Sequence, residues 1–578
     1  MSKPTMAQMI VTALEQMGVE RLYGVVGDSL NGIVDEVRRS ERVRWAGVRH
    51  EEAAAFAAGA EAQFTGRLAV CAGSCGPGNL HLINGLYDAH RSRAPVLAIA
   101  AQIPSSELGS GYFQETRPEQ LFAECSHFRA MVSSPSQMPR LLIQALQHAI
   151  ALRGVAVLII PGDLAMATVE TPLGDLGWLA RMTAPQPVPP AAELDQLAQW
   201  LRDAERITML CGRGCSAARS EVLALAERLQ APIVHALGGK EYLEYDNAFD
   251  VGMTGLIGFA SGYHAMHECE VLLMLGTDFP YRDFYPQEAR IVQIDSRAEQ
   301  LGRRAPLAMG LAGDVGATLQ TLLPRLEAKP APGRFLKAAQ DHYRSARRDL
   351  DELAVGHPGE SRIHPQYLTK MLDERAAADA VFTCDVGTPT VWAARYLHMN
   401  GQRRLLGSFV HGSMANALVQ AIGAQSAAPS RQVIALCGDG GLAMLLGELA
   451  TLRQLQLPIK VVVYDNQSLA FVALEQRAAG QLEAGCELVN PDFGAVARAM
   501  GYEGRAVADP GDLPEALDWL LATRGPALLD VAVHPLELVM PPRTNLSQAA
   551  HFGLFMMKAV LNGRGSEVVE LARTNLFR

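Results

Sequence analysis

Between residues 437 and 466 the chain reads CGDGGLAMLLGELATLRQLQLPIKVVVYDN. Asp439 stands among Gly438, Gly440 and Gly441, and a second oxygen-bearing side chain, Asn466, closes the stretch. One carboxylate and one amide are oxygen ligands of the kind Mg²⁺ takes, with substrate or cofactor phosphates supplying further oxygens. Glycines at a helix start have no Cβ, so their backbone N–H groups can approach those phosphates closely. The residue types and their spacing point to a metal-bridged diphosphate cradle.

Three elements must position these groups. QVIAL reads as a strand, residues 442–456 as a helix and IKVVVY as a second strand, which together make a βαβ unit. A right-handed crossover leaves both strand ends on one edge of the sheet. Neighbouring strands lie about 4.8 Å apart, close enough for Asp439 and Asn466 to converge there. Similar apolar runs recur as LAVCAG, VAVLIIPGD, RITMLCG, VLLMLGTD and RIVQID. Continuous apolar strands of this kind belong to parallel sheets covered on both faces. Their Gly, Asp, Thr or Asn ends fall where open parallel sheets bind ligands.

A chain of 578 residues is too long for one hydrophobic core. The stretches TAPQPVPPAAE at 183–193, EAKPAPGRF at 327–335 and VGHPGESRIHP at 355–365 read as linkers. The expected fold class is therefore α/β: three doubly wound parallel-sheet domains at 1–182, 183–335 and 336–535, then a C-terminal amphipathic tail at 536–578. The first and third blocks look alike in layout. With 61 acidic against 51 basic residues, a net charge of −10 argues against a broad phosphate-tracking surface, so nucleic acid is not an expected partner. No apolar run approaches the roughly 20 residues of a spanning helix, and no signal-peptide pattern opens the chain. The nine cysteines include no metal-ligand spacing and read as free thiols in a reducing cytoplasm.

The Gly-Asp-Gly turn followed one βαβ unit later by Asp-Asn resembles the signature of thiamine-diphosphate enzymes, in which the closing pair is Asn-Asn. Asp465 takes the place of the first Asn, leaving the ligand position at Asn466 and adding negative charge. The resemblance extends nearly end to end to the quinone-linked pyruvate oxidases. It runs through GVVGDSLNG, AVCAGSCGPGNLHLINGLYDAHR, IPSSELGSGYFQET, DVGMTGLIGF, TCDVGTPTVWAARY, HGSMANA and ELARTNLFR. It implies that Glu51, after His50 in VRHEEAAAFAAGAEA, is the catalytic acid that shares a proton with the thiamine pyrimidine. It further implies Gly387, Thr388, Thr390, Gly412 and Ser413 around the diphosphate and Met414 as an apolar prop. Asp439, Asn466 and Ser468 would ligate Mg²⁺, and Phe113, Gln114 and Phe471 would line the substrate pocket.

In the middle block Asp295 follows a strand, as acids that hold ribose hydroxyls do, but no clean G-x-G-x-x-G is present. Its residues alone leave NAD, FAD or a degenerate scaffold open. The resemblance selects FAD, with Gly212, Thr254, Gly255, Gly276, Thr277 and Asp295 as contacts. The activity implied is oxidative decarboxylation of pyruvate to acetate and CO₂, with electrons passing through FAD to ubiquinone. Carboligation as in acetolactate synthase, phosphate-dependent pyruvate oxidation and a non-catalytic binding role are the alternatives. The resemblance also implies a homotetramer in which Glu51 meets the diphosphate cradle across a subunit interface. Finally, the tail would lie on the lipid surface at the inner face of the cell membrane, its end carrying Val568, Val569, Leu571 and Leu576 on one helical face.

Overall fold

A computed structural model describes residues 3–537, together with 554, 556, 557 and 571. The expected lipid-binding tail lies almost wholly outside the described residues. The described residues form three six-stranded, entirely parallel sheets.

The first sheet contains β1 (Arg21–Gly24), β2 (Arg44–Gly47), β3 (Ala69–Gly73), β4 (Val96–Gln102), β5 (Phe128–Met131) and β6 (Val155–Pro161), in the order β2-β1-β3-β4-β6-β5. The second contains β7 (Ile207–Cys211), β8 (Ile233–His235), β9 (Asp250–Met253), β10 (Val271–Leu275), β11 (Arg290–Asp295) and β12 (Met309–Ala312), in the order β12-β11-β10-β7-β8-β9. The third contains β13 (Val381–Cys384), β14 (Arg404–Gly407), β15 (Val433–Gly438), β16 (Lys460–Asp465), β17 (Glu503–Val507) and β18 (Ala527–Ala532), in the order β14-β13-β15-β16-β18-β17. The first and third sheets thus share one topology, the likeness of layout read from the sequence. The central strands, such as β4 (VLAIAAQ) and β6 (VAVLIIP), are buried at every position because helices cover both sheet faces.

Small residues fix how the first and third blocks meet. Helix Glu51–Thr65 is alanine-rich and buried over most of its length, starting after His50, whose ring accepts the Glu52 N–H. It ends at Gly66, whose φ of 72° is the left-handed conformation that closes many helices. On one side it packs against helix Pro77–Arg91, where a Cβ on Gly85 would stand 2.7 Å from Phe56 N and 2.8 Å from Glu52 O. On another it packs against helix Asn416–Ala427, where a Cβ on Gly423 would stand 2.0 Å from Ala57 O. This contact lies within one chain.

The middle block is tied in by Arg404, which pairs with Glu241 and donates to the Phe64 carbonyl at 3.1 Å. Arg395 adds a bond to the Ile257 carbonyl at 3.0 Å. All nine cysteines are buried and free. Among the described residues no helix is long and apolar enough to cross a membrane.

Candidate active site

β15 and β16 are hydrogen-bonded neighbours, with Gly438 opposite Tyr464, so the residues that follow them come to one edge as the βαβ pattern predicts. Asp439 Oδ2 accepts the Gln467 N–H at 2.7 Å, and Asp439 Oδ1 accepts the Gly440 N–H at 2.8 Å. Asn466 Oδ1 accepts the Ser468 N–H at 3.0 Å, so Asn466 and Ser468 share one turn, and Asp439 is joined to it through the Gln467 N–H.

The helix expected over 442–456 is interrupted. It forms as Asp439–Met444 and Leu449–Gln454, with a tighter turn between them. There the Glu448 side chain turns inward to accept the Arg49 N–H at 3.0 Å and the Thr451 hydroxyl at 2.6 Å. The break therefore ties the cradle's own helix to the residues just before Glu51.

Gly438–Gly441 is held from beneath by Asp385, which follows β13. Its Oδ2 accepts the Gly438 N–H at 3.1 Å and its Oδ1 the Ala417 N–H at 2.8 Å. A Cβ on Gly441 would sit 2.2 Å from Asp385 Oδ2, so only glycine allows the carboxylate this close. Burial pushes the Asp385 carboxyl up to about 7. Gly387 takes a φ of 130° before helix Thr388–Tyr396, a conformation that favours glycine. Gly412, with a φ of 85°, donates to the Ser408 carbonyl at 2.7 Å. Ser413 donates its hydroxyl to the Met414 carbonyl and accepts from Asn84 at 2.9 Å. Met414 reaches across to Gly440, where its methyl lies 3.4 Å from the position a Cβ would take. The Thr390 hydroxyl is spent on the Asp385 carbonyl at 2.7 Å, which makes it a brace of the turn.

Asp465 is more than extra charge. Its Oδ1 accepts from Asn490 Nδ2 at 2.7 Å, and the same amide reaches Asp439 Oδ2 at 2.9 Å. Burial, and after it the nearby Asp465, pushes the Asp439 carboxyl up to about 6. The Asp439 carboxylate, the Asn466 amide oxygen and the Ser468 hydroxyl form an oxygen-only donor set at a glycine turn that fits a hard divalent cation beside a diphosphate.

Glu51 opens its helix and is 8% exposed. Its Oε2 lies 2.9 Å from His81 Nδ1, and the His50 and His81 rings stack at 4.3 Å. Gly78 leaves room for it, since a Cβ there would stand 3.0 Å from Glu51 Oε1. Asn84, on the same helix as His81, bonds both Glu52 and Ser413, joining the glutamate turn to the Met414 loop. The expected substrate residues are less enclosed. Phe113 is 78% exposed, Gln114 has a φ of 64° and accepts from Cys75 Sγ at 3.3 Å, and Phe471 packs partly buried on the third core.

The second sheet has the doubly wound order 3-2-1-4-5-6, whose direction reverses between β7 and β10. Gly212 and Gly276 follow those two strands and pack on each other, the Gly214 N–H donating to the Gly276 carbonyl at 2.9 Å. Gly276 has a φ of 54° and Gly255 one of 103°. The buried Thr254 hydroxyl has no hydrogen-bond partner, and the Thr277 carbonyl accepts from Gln293 at 3.3 Å. Asp295 accepts the Arg297 N–H at 2.9 Å, and burial raises its carboxyl above the usual range.

Around this crevice stand Arg93 and Arg153 of the first block and Arg213 and Arg297 of the second. Burial, then Arg297, brings Arg93 down to about 10, while burial, then Arg213, lowers Arg153. Arg297 Nε is buried with no hydrogen bond and lies 3.7 Å from Asp295 Oδ1. Guanidinia crowded together beside one carboxylate suit an anionic group such as a dinucleotide's diphosphate.

Sequence reasoning missed these arginines, because strand-end glycines do not show which first-block residues reach over them. Arg93 and Arg153 do so from left-handed turns, at φ of 57° and 51°. It also missed Asn490 and His81. Asp385 carried a readable signal, since it ends a strand in TCDVGTPT as Asp439 does in its own.

Fold and site together define a three-sheet α/β protein whose third block carries an oxygen-lined glycine turn at its strand ends. Models of the thiamine pyrophosphate enzyme match in three places. The N-terminal TPP binding domain covers residues 4–121, the central domain 194–322 and the C-terminal TPP binding domain 385–531. The putative thiamine pyrophosphate-containing protein YdaP of Bacillus subtilis is 36% identical over 99% of both chains. The acetolactate synthase isozyme 2 large subunit of Escherichia coli is 32% identical over 93% of this chain and 96% of its own. The pyruvate oxidase of Lactiplantibacillus plantarum is 29% identical over 91% of this chain and 88% of its own. The chain belongs to the thiamine pyrophosphate enzyme family.

Proposed function

We propose that this protein decarboxylates pyruvate oxidatively to acetate and CO₂, passing electrons through FAD to membrane ubiquinone. The observation that carries the reading is the arginine-rimmed crevice at the switch point of the second sheet, beside a thiamine site made of the outer blocks. When bound, thiamine diphosphate supplies a carbon nucleophile and an electron sink for loss of CO₂, Mg²⁺ neutralises its diphosphate, and FAD supplies a two-electron acceptor.

The chain's own residues bind, orient and move protons. Asp439, Asn466 and Ser468 would hold the cation, while the Gly438–Gly441 turn, braced by Asp385 and lacking Cβ atoms, would leave room for the diphosphate. Met414 props the cofactor against Gly440. Glu51, oriented by His81, holds and releases a proton at its carboxylate. Gly212, Thr254, Gly255, Gly276, Thr277 and Asp295 seat the dinucleotide, and the four arginines neutralise it. Phe113, Gln114 and Phe471 surround the keto acid. The working form is a homotetramer, bound peripherally to the inner face of the cell membrane through its tail.

The test is anaerobic addition of pyruvate to purified protein loaded with all three cofactors. Bleaching of the flavin with release of acetate and CO₂, and reoxidation by a soluble quinone, supports the reading. Acetolactate without flavin bleaching replaces it with carboligation, the activity named for the Escherichia coli relative. Acetyl phosphate formed only with added phosphate replaces it with the phosphate-dependent reaction. Sedimentation of a fully active monomer would refute the tetramer.

A further inference from the structure

The stretch 355–365 reads in the sequence only as a linker, yet it folds against the exit of β18 and gathers ligand-type side chains there. Ile363 forms a parallel bridge with Val533. The Ile363 N–H donates to the Ala532 carbonyl at 2.9 Å, and the His534 N–H donates to the Ile363 carbonyl at 3.1 Å. The Gly359 N–H donates to both oxygens of Asp509, at 3.0 and 2.9 Å, and Arg362 donates to the Val533 carbonyl at 3.1 Å. A loop held on both sides keeps Glu360 and His364 beside His534.

Glu360, His364 and His534 each present one ligand atom, and the three atoms lie within 4.8 Å of one another. The two imidazole rings are 4.4 Å apart, inclined by 30°. One carboxylate oxygen of Glu360 is buried with no hydrogen-bond partner, and so is the amide oxygen of the adjoining Gln366. A buried acceptor without a partner is costly, more so if charged, so an ion that takes it up is favoured. Glu537 Oε2 sits 2.7 Å from His364 Nδ1. That carboxylate–histidine pairing orients imidazole ligands in metal sites and would leave Nε2 of His364 as the ligand atom.

We infer that Glu360, His364 and His534 bind a divalent transition ion of the zinc class, at a site separate from the diphosphate cradle. Two imidazoles and a carboxylate select such an ion over Mg²⁺, which prefers oxygen throughout. The ion's two charges balance Glu360 and Glu537, with Arg362 alongside. Three protein ligands leave a fourth position for water, and the ion joins the loop before the third sheet to the strand that ends it.

The experiment uses full-length protein already loaded with thiamine diphosphate and excess Mg²⁺, so that the diphosphate site is filled. Titration with Co²⁺ is expected to give one equivalent of a visible absorption band typical of tetrahedral coordination, displaced by Zn²⁺ and unaffected by further Mg²⁺. His534→Ala should weaken Co²⁺ binding at least tenfold. Glu360→Gln should do the same, and because the orphaned oxygen has no partner to lose, this variant keeps the fold intact. A missing band, a band displaced by Mg²⁺, or Co²⁺ affinity in the two variants equal to that of the unmodified protein means an adventitious ion only and overturns the site.

Discussion

At the residue scale, two carboxylates divide the proposed chemistry, and each can be removed without the other. Glu51→Gln keeps an oxygen for His81 but cannot exchange a proton, so hydrogen–deuterium exchange at the reacting carbon of bound thiamine should slow by about 10²–10⁴-fold. Affinity for thiamine diphosphate should change little, because the diphosphate ligands sit in the third block. Exchange at the unmodified rate would remove Glu51 from its role. Asp439→Ala should act in the opposite way, leaving the exchange site untouched while Mg²⁺-dependent cofactor affinity falls by at least about tenfold. Titration of cofactor quenching with and without Mg²⁺ is the measurement. The pairing of Asp439 with Asp465 through Asn490 predicts a second asymmetry. Asp465→Asn relieves the repulsion while Asn466 stays in place, so cofactor should still bind when Mg²⁺ is present. Loss of binding there would make Asp465 a ligand in its own right.

At the element scale, β3, β6, β7, β10, β11, β15 and β16 were legible because burial on both faces leaves an unbroken apolar run, and strand-end Gly and Asp mark the ligand edge. The break between Met444 and Leu449 was not legible. Residues 442–456 keep a helical apolar pattern, and what interrupts it is Glu448 turning toward a backbone N–H almost four hundred positions away in sequence. Nor could the sequence show how the blocks dock, since an alanine-rich helix has no outward face to read. The decisive feature is Gly423, whose missing Cβ lets two helices touch backbone to backbone. Gly423→Ala places a methyl against the Ala57 carbonyl, which cannot swing aside. Overpacking of this kind costs about 1–3 kcal/mol or more, so a lower melting temperature with weakened cofactor binding is expected. Unchanged melting would show that the two helices can separate without consequence.

At the scale of the whole molecule, buried titratable groups in different sheets set one pH dependence. Burial pushes Asp250 in the second sheet up to about 8, and Asp385 and Asp530 of the third block up to about 7. An unfolded aspartate titrates near 3.9, so these groups favour the folded state fully below that value. Their contribution is lost as pH rises through 7 to 8. His90 and His235 run the other way: burial depresses both to about 4, so their contribution is present above the unfolded value near 6.5 and is lost as pH falls toward 4. Between pH 6.5 and 8.5 the three carboxyls outweigh Lys460, which burial brings down to about 8 and which opposes them only at the top of that range, and stability should therefore fall as pH rises. Asp250 alone accounts for about 2 kcal/mol over that window, from roughly 1.5 pH units at about 1.36 kcal/mol each. Calorimetry of cofactor-free protein should show the first melting transition several degrees lower at pH 8.5 than at 6.5. Asp250→Asn retains the oxygen that accepts the Gly252 N–H at 3.2 Å but has no proton to lose. Its transition should vary less across the same range, and a slope equal to that of the unmodified protein would mean that Asp250 is already ionised in the fold.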